Sequence, residues 1–144
     1  MKIENTTRKK KEAHEASFHT KLMKWLKYNL HYFPPSFLIE TKVVRPGRNT
    51  FSYSELSAKE ERLLLQAKEG AVLQTHSDAE RHGTNCDASC VSGGGYVFLQ
   101  WVRPGNKTFY VIDITDLIKA REVFKKPLTE EVALIIAFLV GELK

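Results

Sequence analysis

Phe37-Leu38-Ile39-Glu40-Thr41-Lys42-Val43-Val44 is the stretch on which the fold turns. Its residues are apolar or β-branched apart from Glu40 and Lys42, and Arg45-Pro46-Gly47 follows with turn chemistry, so it reads as a strand that leaves through a hairpin. Side chains alternate faces along a strand, which points Glu40 and Lys42 the same way. Among apolar neighbours such a pair costs desolvation energy unless it serves a salt bridge, a metal or a substrate phosphate. A hard Mg²⁺ ion accepts a Glu carboxylate, and a neighbouring Lys can orient a hydrolytic water and offset charge growing on a phosphate. The spelling Glu-x-Lys alone carries no weight, since a chain of this length at average composition holds about half an instance. Placement in a buried strand gives it meaning; on an edge strand the same pair would face water.

Upstream, residues 1–11, with the Arg8-Lys9-Lys10-Lys11 cluster, carry almost no apolar side chains and read as a mobile basic arm. A helical period starts at Glu12, with Phe18, Leu22, Trp25, Leu26 and Leu30 on one stripe and Lys21, Lys24 and Lys27 outside it, until Pro34-Pro35 ends it. Downstream, Ser54 or Ser57 caps a second helix to about Glu69, Gly70 suits its end, and Leu56, Leu63, Leu64 and Ala67 form its buried face. Val72-Leu73 suggests a short strand, and Thr75 to Gly95 a long polar loop closed by a Gly93-Gly94-Gly95 hinge. Tyr96 to Val102 and Thr108 to Ile114 make a hairpin through Arg103-Pro104-Gly105-Asn106-Lys107. Asp116 to Phe124 is a short helix, with Asp113 and Asp116 ending the strand and starting the helix. Thr129 caps a last helix containing a buried Val132 to Val140 stretch. This order predicts an α/β fold, an α+β mixed sheet at the centre flanked by helices. Arg45-Pro46-Gly47-Arg48-Asn49-Thr50-Phe51 is echoed by Arg103-Pro104-Gly105-Asn106-Lys107-Thr108-Phe109. The echo reflects either shared Pro-Gly turn chemistry or two basic loops at one end of the sheet, both touching phosphates.

The chain has 144 residues, 42% apolar and 27% charged, which fits one globular domain over 12–144 behind the arm. No apolar run is long enough for a membrane span and no signal peptide is evident, so the expectation is a soluble, cytoplasmic protein with no membrane partner. Twenty-two Lys and Arg against seventeen Asp and Glu give +5, a balance that favours an acidic partner such as nucleic acid. The two cysteines are too few for a disulfide framework. With His76 and His82, Cys86 and Cys90 offer four zinc-type ligands at an unusual spacing; otherwise they are small loop or core residues beside solvated histidines. Ser92-Gly93-Gly94-Gly95 lacks the lysine and following helix of a phosphate-binding loop, and no serine sits in a nucleophile elbow. Trp25 and Trp101 occupy apolar periodic positions and read as core.

Glu15 on the first helix, Glu40-Thr41-Lys42 on the strand and Phe51 to Leu65 behind it resemble the PD-(D/E)XK restriction-endonuclease-like nucleases, in particular the bacterial and phage-type Holliday-junction resolvases. Gly94 to Trp101 is similar to that family's next core strand and Phe109 to Asp113 to the one after, so the likeness spans about Glu15 to Leu117. It implies a restriction-endonuclease-like core and Mg²⁺-dependent (or Mn²⁺-dependent) endonuclease hydrolysis of branched DNA, with Glu40 as metal ligand and Lys42 as the water-positioning residue. Glu15 and Asp87 would be further ligands. The chain departs from the family in having Ser36 after Pro35, where an Asp is usual, and Glu60 where resolvases tend to carry Gln. Either Glu60 supplies a displaced ligand or the match there is structural; Asp78 and Asp87 are candidates for a migrated carboxylate, or Asp87 is a turn former. DNA would be held by Lys9, Lys10, Lys11, Lys21, Arg45, Arg48, Arg103 and Lys107. Symmetric cutting implies a homodimer, in the nucleoid or in a phage-infected cell. A degenerate, non-catalytic nucleic-acid-binding module and a zinc-stabilised interaction module stay open beside this reading.

Overall fold

The structure, a computed structural model, describes residues 2–70 and 93–144, with side chains from residue 13 onward. In chain order its elements are α1 (Lys2–Lys27), β1 (Phe37–Val44), β2 (Thr50–Phe51), α2 (Ala58–Lys68), β3 (Gly94–Trp101), β4 (Thr108–Asp113), α3 (Ile114–Phe124), β5 (Leu128–Thr129), α4 (Glu130–Ile136) and β6 (Leu139–Glu142). The protein is mixed α/β: a four-stranded sheet runs β1-β3-β4-β6, with β1 parallel to β3 and the other neighbours antiparallel. β2 pairs with β5 in a separate antiparallel ribbon. No helix among the described residues is long and apolar enough to cross a membrane.

β3 lies inside the sheet and is buried along its whole length. Its alternation divides the core in two. Tyr96 and Phe98 pack with Phe18, Leu22 and Leu26 of α1, whereas Val97, Leu99 and Trp101 pack with Leu64 of α2 and Leu117 of α3. Phe109 anchors the first half, its ring 5.0 Å from Trp25, 5.9 Å from Phe18 and 6.0 Å from Phe98.

Several expectations are corrected. α1 is continuous from Lys2, so the segment expected as an arm is helical: it contains no Pro or Gly, and extending a helix already nucleated costs little. β1 has the expected span but no hairpin, because the chain crosses over through α2 before β3 pairs alongside it. Gly94 and Gly95 belong to β3 and do not form a hinge. A Cβ at Gly95 would lie 2.1 Å from the Leu64 carbonyl oxygen, so glycine lets the backbone of α2 rest on the strand. The last helix stops at Ile136, Ala137 turns extended, and the Phe138 amide donates to the Val111 carbonyl at 2.7 Å to begin edge strand β6. Leu134 and Ile135, expected to be buried, are 57% and 80% exposed. α3 starts at Ile114, capped by Asp113, whose Oδ1 accepts from the Thr115 amide at 2.9 Å. Val72-Leu73 and most of the Thr75 to Gly95 loop lie outside the described residues.

These packing differences set stability. Phe109→Ala is expected to cost about 3–5 kcal/mol by the lost ring and the cavity left behind, whereas Ile135→Ser should stay within about 0.5 kcal/mol. Urea denaturation of both variants measures the contrast.

Candidate active site

Among the described residues β1 is an edge strand of the sheet, which corrects the expectation of an interior one. The Ser36 carbonyl accepts from the Gly94 amide at 3.0 Å and the Val44 carbonyl from the Val102 amide at 2.8 Å, so even-numbered residues turn their backbone toward β3. Odd-numbered residues therefore turn theirs to the open side. Glu40 and Lys42 nevertheless do not face bulk water, because α2 covers their side of the strand. The Lys42 side chain is only 14% exposed.

The cover is chemical as well as steric. Lys42 Nζ donates to both carboxylate oxygens of Glu60 at 3.1 Å. Glu60 Oε1 also accepts from the Ser57 amide at 2.8 Å, while the Glu60 amide donates to Ser57 Oγ at 3.1 Å. Ser57-Ala58-Lys59-Glu60 is thus a capping box, a pattern legible as Ser-x-x-Glu before an apolar run. Its reach to Lys42 across the crossover was not legible, since no local spacing connects the two residues.

Glu40 completes the cluster. Partial burial, then the adjacent Glu60 carboxylate, which lies within hydrogen-bonding reach, push the Glu40 pKa up; Lys42 pulls it down and the charge of Glu15 on α1 adds to the rise. For Glu60, burial pushes upward, but the Ser57 amide and the Lys42 ammonium outweigh it and hold the carboxyl below its ordinary value. A proton entering the cluster therefore goes to Glu40. The edge thus sets Glu40 beside the Lys42–Glu60 pair, with the charge of Glu15 acting on Glu40 from α1.

Among the described residues no group of three or more His, Cys, Asp or Glu side chains is arranged to hold a metal ion. Mg²⁺ needs less, since it keeps several waters and takes one or two carboxylates together with substrate phosphate oxygens. Glu40 fits that requirement: it is a hard donor crowded by like charge, a strain that a divalent cation would relieve. Asp78, Asp87, His76, His82, Cys86 and Cys90 lie outside the described residues, and so do the side chains of Lys9, Lys10 and Lys11.

The remaining basic residues divide. Arg103 is committed to Glu130 through two hydrogen bonds of 2.7 and 3.1 Å, and Tyr110 Oη donates to the same carboxylate at 2.8 Å. Burial and that bond push the Tyr110 hydroxyl up to about 12, so it stays a donor. Lys21, Lys107 and Arg103 line a cleft of about 280 Å³ between α1 and the β3–β4 turn, with His14 and Lys144 also contributing. Arg45 and Arg48 line a second cleft at the end of β1. Because β1 and β3 run parallel with Val44 opposite Trp101, the two Arg-Pro-Gly turns do lie at the same end of the sheet.

The opposed pKa shifts make a pH prediction. The raised value of Glu40 gives stability that is present below about pH 4.5 and lost as pH rises through the raised value; the depressed value of Glu60 gives stability present above that pH and lost as pH falls. Glu40→Gln, which stays neutral, should therefore gain stability relative to the parent as pH rises from about 4.5 through the raised Glu40 value. Urea midpoints across that range decide it, and parallel curves for the two proteins would refute the assignment. Compared with known proteins, the chain matches no family model, no curated protein and no solved structure.

Proposed function

We propose that the protein is a Mg²⁺-dependent endonuclease with a restriction-endonuclease-like core, acting on branched DNA. The observation that carries this reading is the gathering of Glu40, Lys42 and Glu60, with the Glu15 charge in reach, at an open sheet edge between two helices. The order of helix, Glu-x-Lys strand, helix, parallel strand and antiparallel strand supports the same reading. An edge site also suits a long substrate, because a polymer can lie along it without threading into a closed pocket.

In this reading Glu40 holds the cation, which when bound polarises the scissile phosphate. Lys42 directs the attacking water toward phosphorus and offsets the charge that grows on the phosphate oxygens. Glu60, fixed by Ser57, keeps the Lys42 ammonium on the strand face and is a positioning residue. Cutting two strands of a junction symmetrically would call for two copies of the chain. The commitment of Lys42 to both Glu60 oxygens, together with Ser36 following Pro35, favours one second reading, a non-catalytic nucleic-acid-binding module of the same build.

An end-labelled four-way junction incubated with Mg²⁺ or Mn²⁺ separates them. The enzyme gives nicked product, and Glu40→Gln and Lys42→Ala each reduce its rate by about 10²-fold or more. Glu60→Gln retains the cap acceptor but loses the charge facing Lys42, so it should shift the pH profile of cutting more than it lowers the maximal rate. A parent protein that binds the junction and never nicks it overturns the catalytic reading and leaves the binding module.

A further inference from the structure

We infer that the cleft at the C-terminal end of β1 is a phosphate site, built to hold the backbone of a nucleic acid strand one step from the Glu40–Lys42 pair. The choice of a nucleic acid rests on the proposed function; the anion chemistry of the cleft does not. The cleft has a volume of about 300 Å³ and is lined by Arg45, Arg48, Thr50, Ser52, Ser54 and Glu55 over a floor of Val43 and Val44. Two guanidinium groups face one carboxylate there, so the lining is net positive. Three hydroxyl side chains add donors that suit phosphate oxygens, and Ser52 Oγ and Ser54 Oγ lie 2.8 Å apart, so one hydroxyl proton of that pair remains for a ligand.

The turn itself brings the arginines together. The Arg48 amide donates to the Arg45 carbonyl at 3.1 Å, and Gly47 adopts a φ of +90°, a conformation that favours glycine. The echo in the sequence shows what this turn does differently. In the second copy Arg103 is clamped by Glu130, while Asn106 donates to the Trp101 carbonyl at 2.6 Å and accepts from the Thr108 amide at 3.2 Å. Both turns border a cleft, but in the second the arginine is committed to Glu130, whereas Arg45 and Arg48 line theirs together. Val44 is two residues beyond Lys42, about 6–7 Å along a strand, within the span of one nucleotide's sugar-phosphate unit. A strand whose phosphate occupies the cleft would therefore present its neighbouring phosphate to Glu40 and Lys42.

The test is fluorescence anisotropy with the full chain, a labelled four-way junction and Ca²⁺ in place of Mg²⁺, over a series of salt concentrations. Arg45→Gln/Arg48→Gln should weaken binding about tenfold or more and reduce the slope of log affinity against log salt by about 2. Lys119→Gln/Lys125→Gln, an equal loss of charge on α3 and at the residue that ends it, should leave the slope in place. Inorganic phosphate, at constant ionic strength, should displace the junction from the parent but not further weaken the arginine variant; displacement only by a single-stranded oligonucleotide would mark the site as one for internal phosphodiesters. An arginine variant with parental affinity and slope, or one matched by the α3 variant, overturns the inference. Loss of binding in the arginine variant of a parent that never nicks DNA would instead overturn the nuclease reading alone.

Discussion

The Glu60 carboxylate accepts hydrogen bonds from the Ser57 amide and the Lys42 ammonium at once, so the first turn of α2 and the polar face of β1 cannot move independently. A capping box alone would fix only where the helix starts. Here the same oxygen also places a cation on the neighbouring strand and presses a second carboxyl, Glu40, toward its protonated form. Helix initiation and the electrostatics of the edge are one arrangement.

That arrangement explains how charges are held on a strand whose other residues are mostly half-buried. An exposed edge invites pairing with another chain, and charged side chains are a common means of blunting it. Glu40 and Lys42 do that, yet they are too deeply covered by α2 for a purely solvated role. Half-burial lowers the local dielectric, which strengthens the pair and raises the penalty of losing either member. Among the described residues no strand pairs with the outer side of β1, while Glu60 of α2 lies against the Lys42 side chain.

Much of this fold follows from local spelling. The strand over Phe37 to Val44, the hairpin through Arg103-Pro104-Gly105 and the Asp113 and Thr129 caps are each set by propensities and turn chemistry within a few residues. What local reading misses is sheet order. Nothing within Phe37 to Val44 says whether one strand or two will flank it, and a parallel partner reached through a crossover helix leaves no hairpin signature. The apolar run from Val132 to Val140 misleads for a related reason: its hydrophobicity fits a buried helix, but pairing of Phe138 with Val111 ends the helix early and leaves Leu134 and Ile135 outside. At the site, Glu15, Glu40 and Lys42 are readable as candidates, while the Glu60–Lys42 bond is a product of tertiary packing.

Gly95 carries a consequence of its own. It touches none of the charged groups, yet the absence of a side chain there lets the Leu64 carbonyl settle on the strand and so sets how far α2 stands from the sheet. The spacing of the ionic cluster is inherited from that contact, as the gap of a hinged jaw is inherited from its pivot. Bulk added at this position would push α2 outward and carry the Glu60 carboxylate away from Lys42, although Gly95 itself has no functional group.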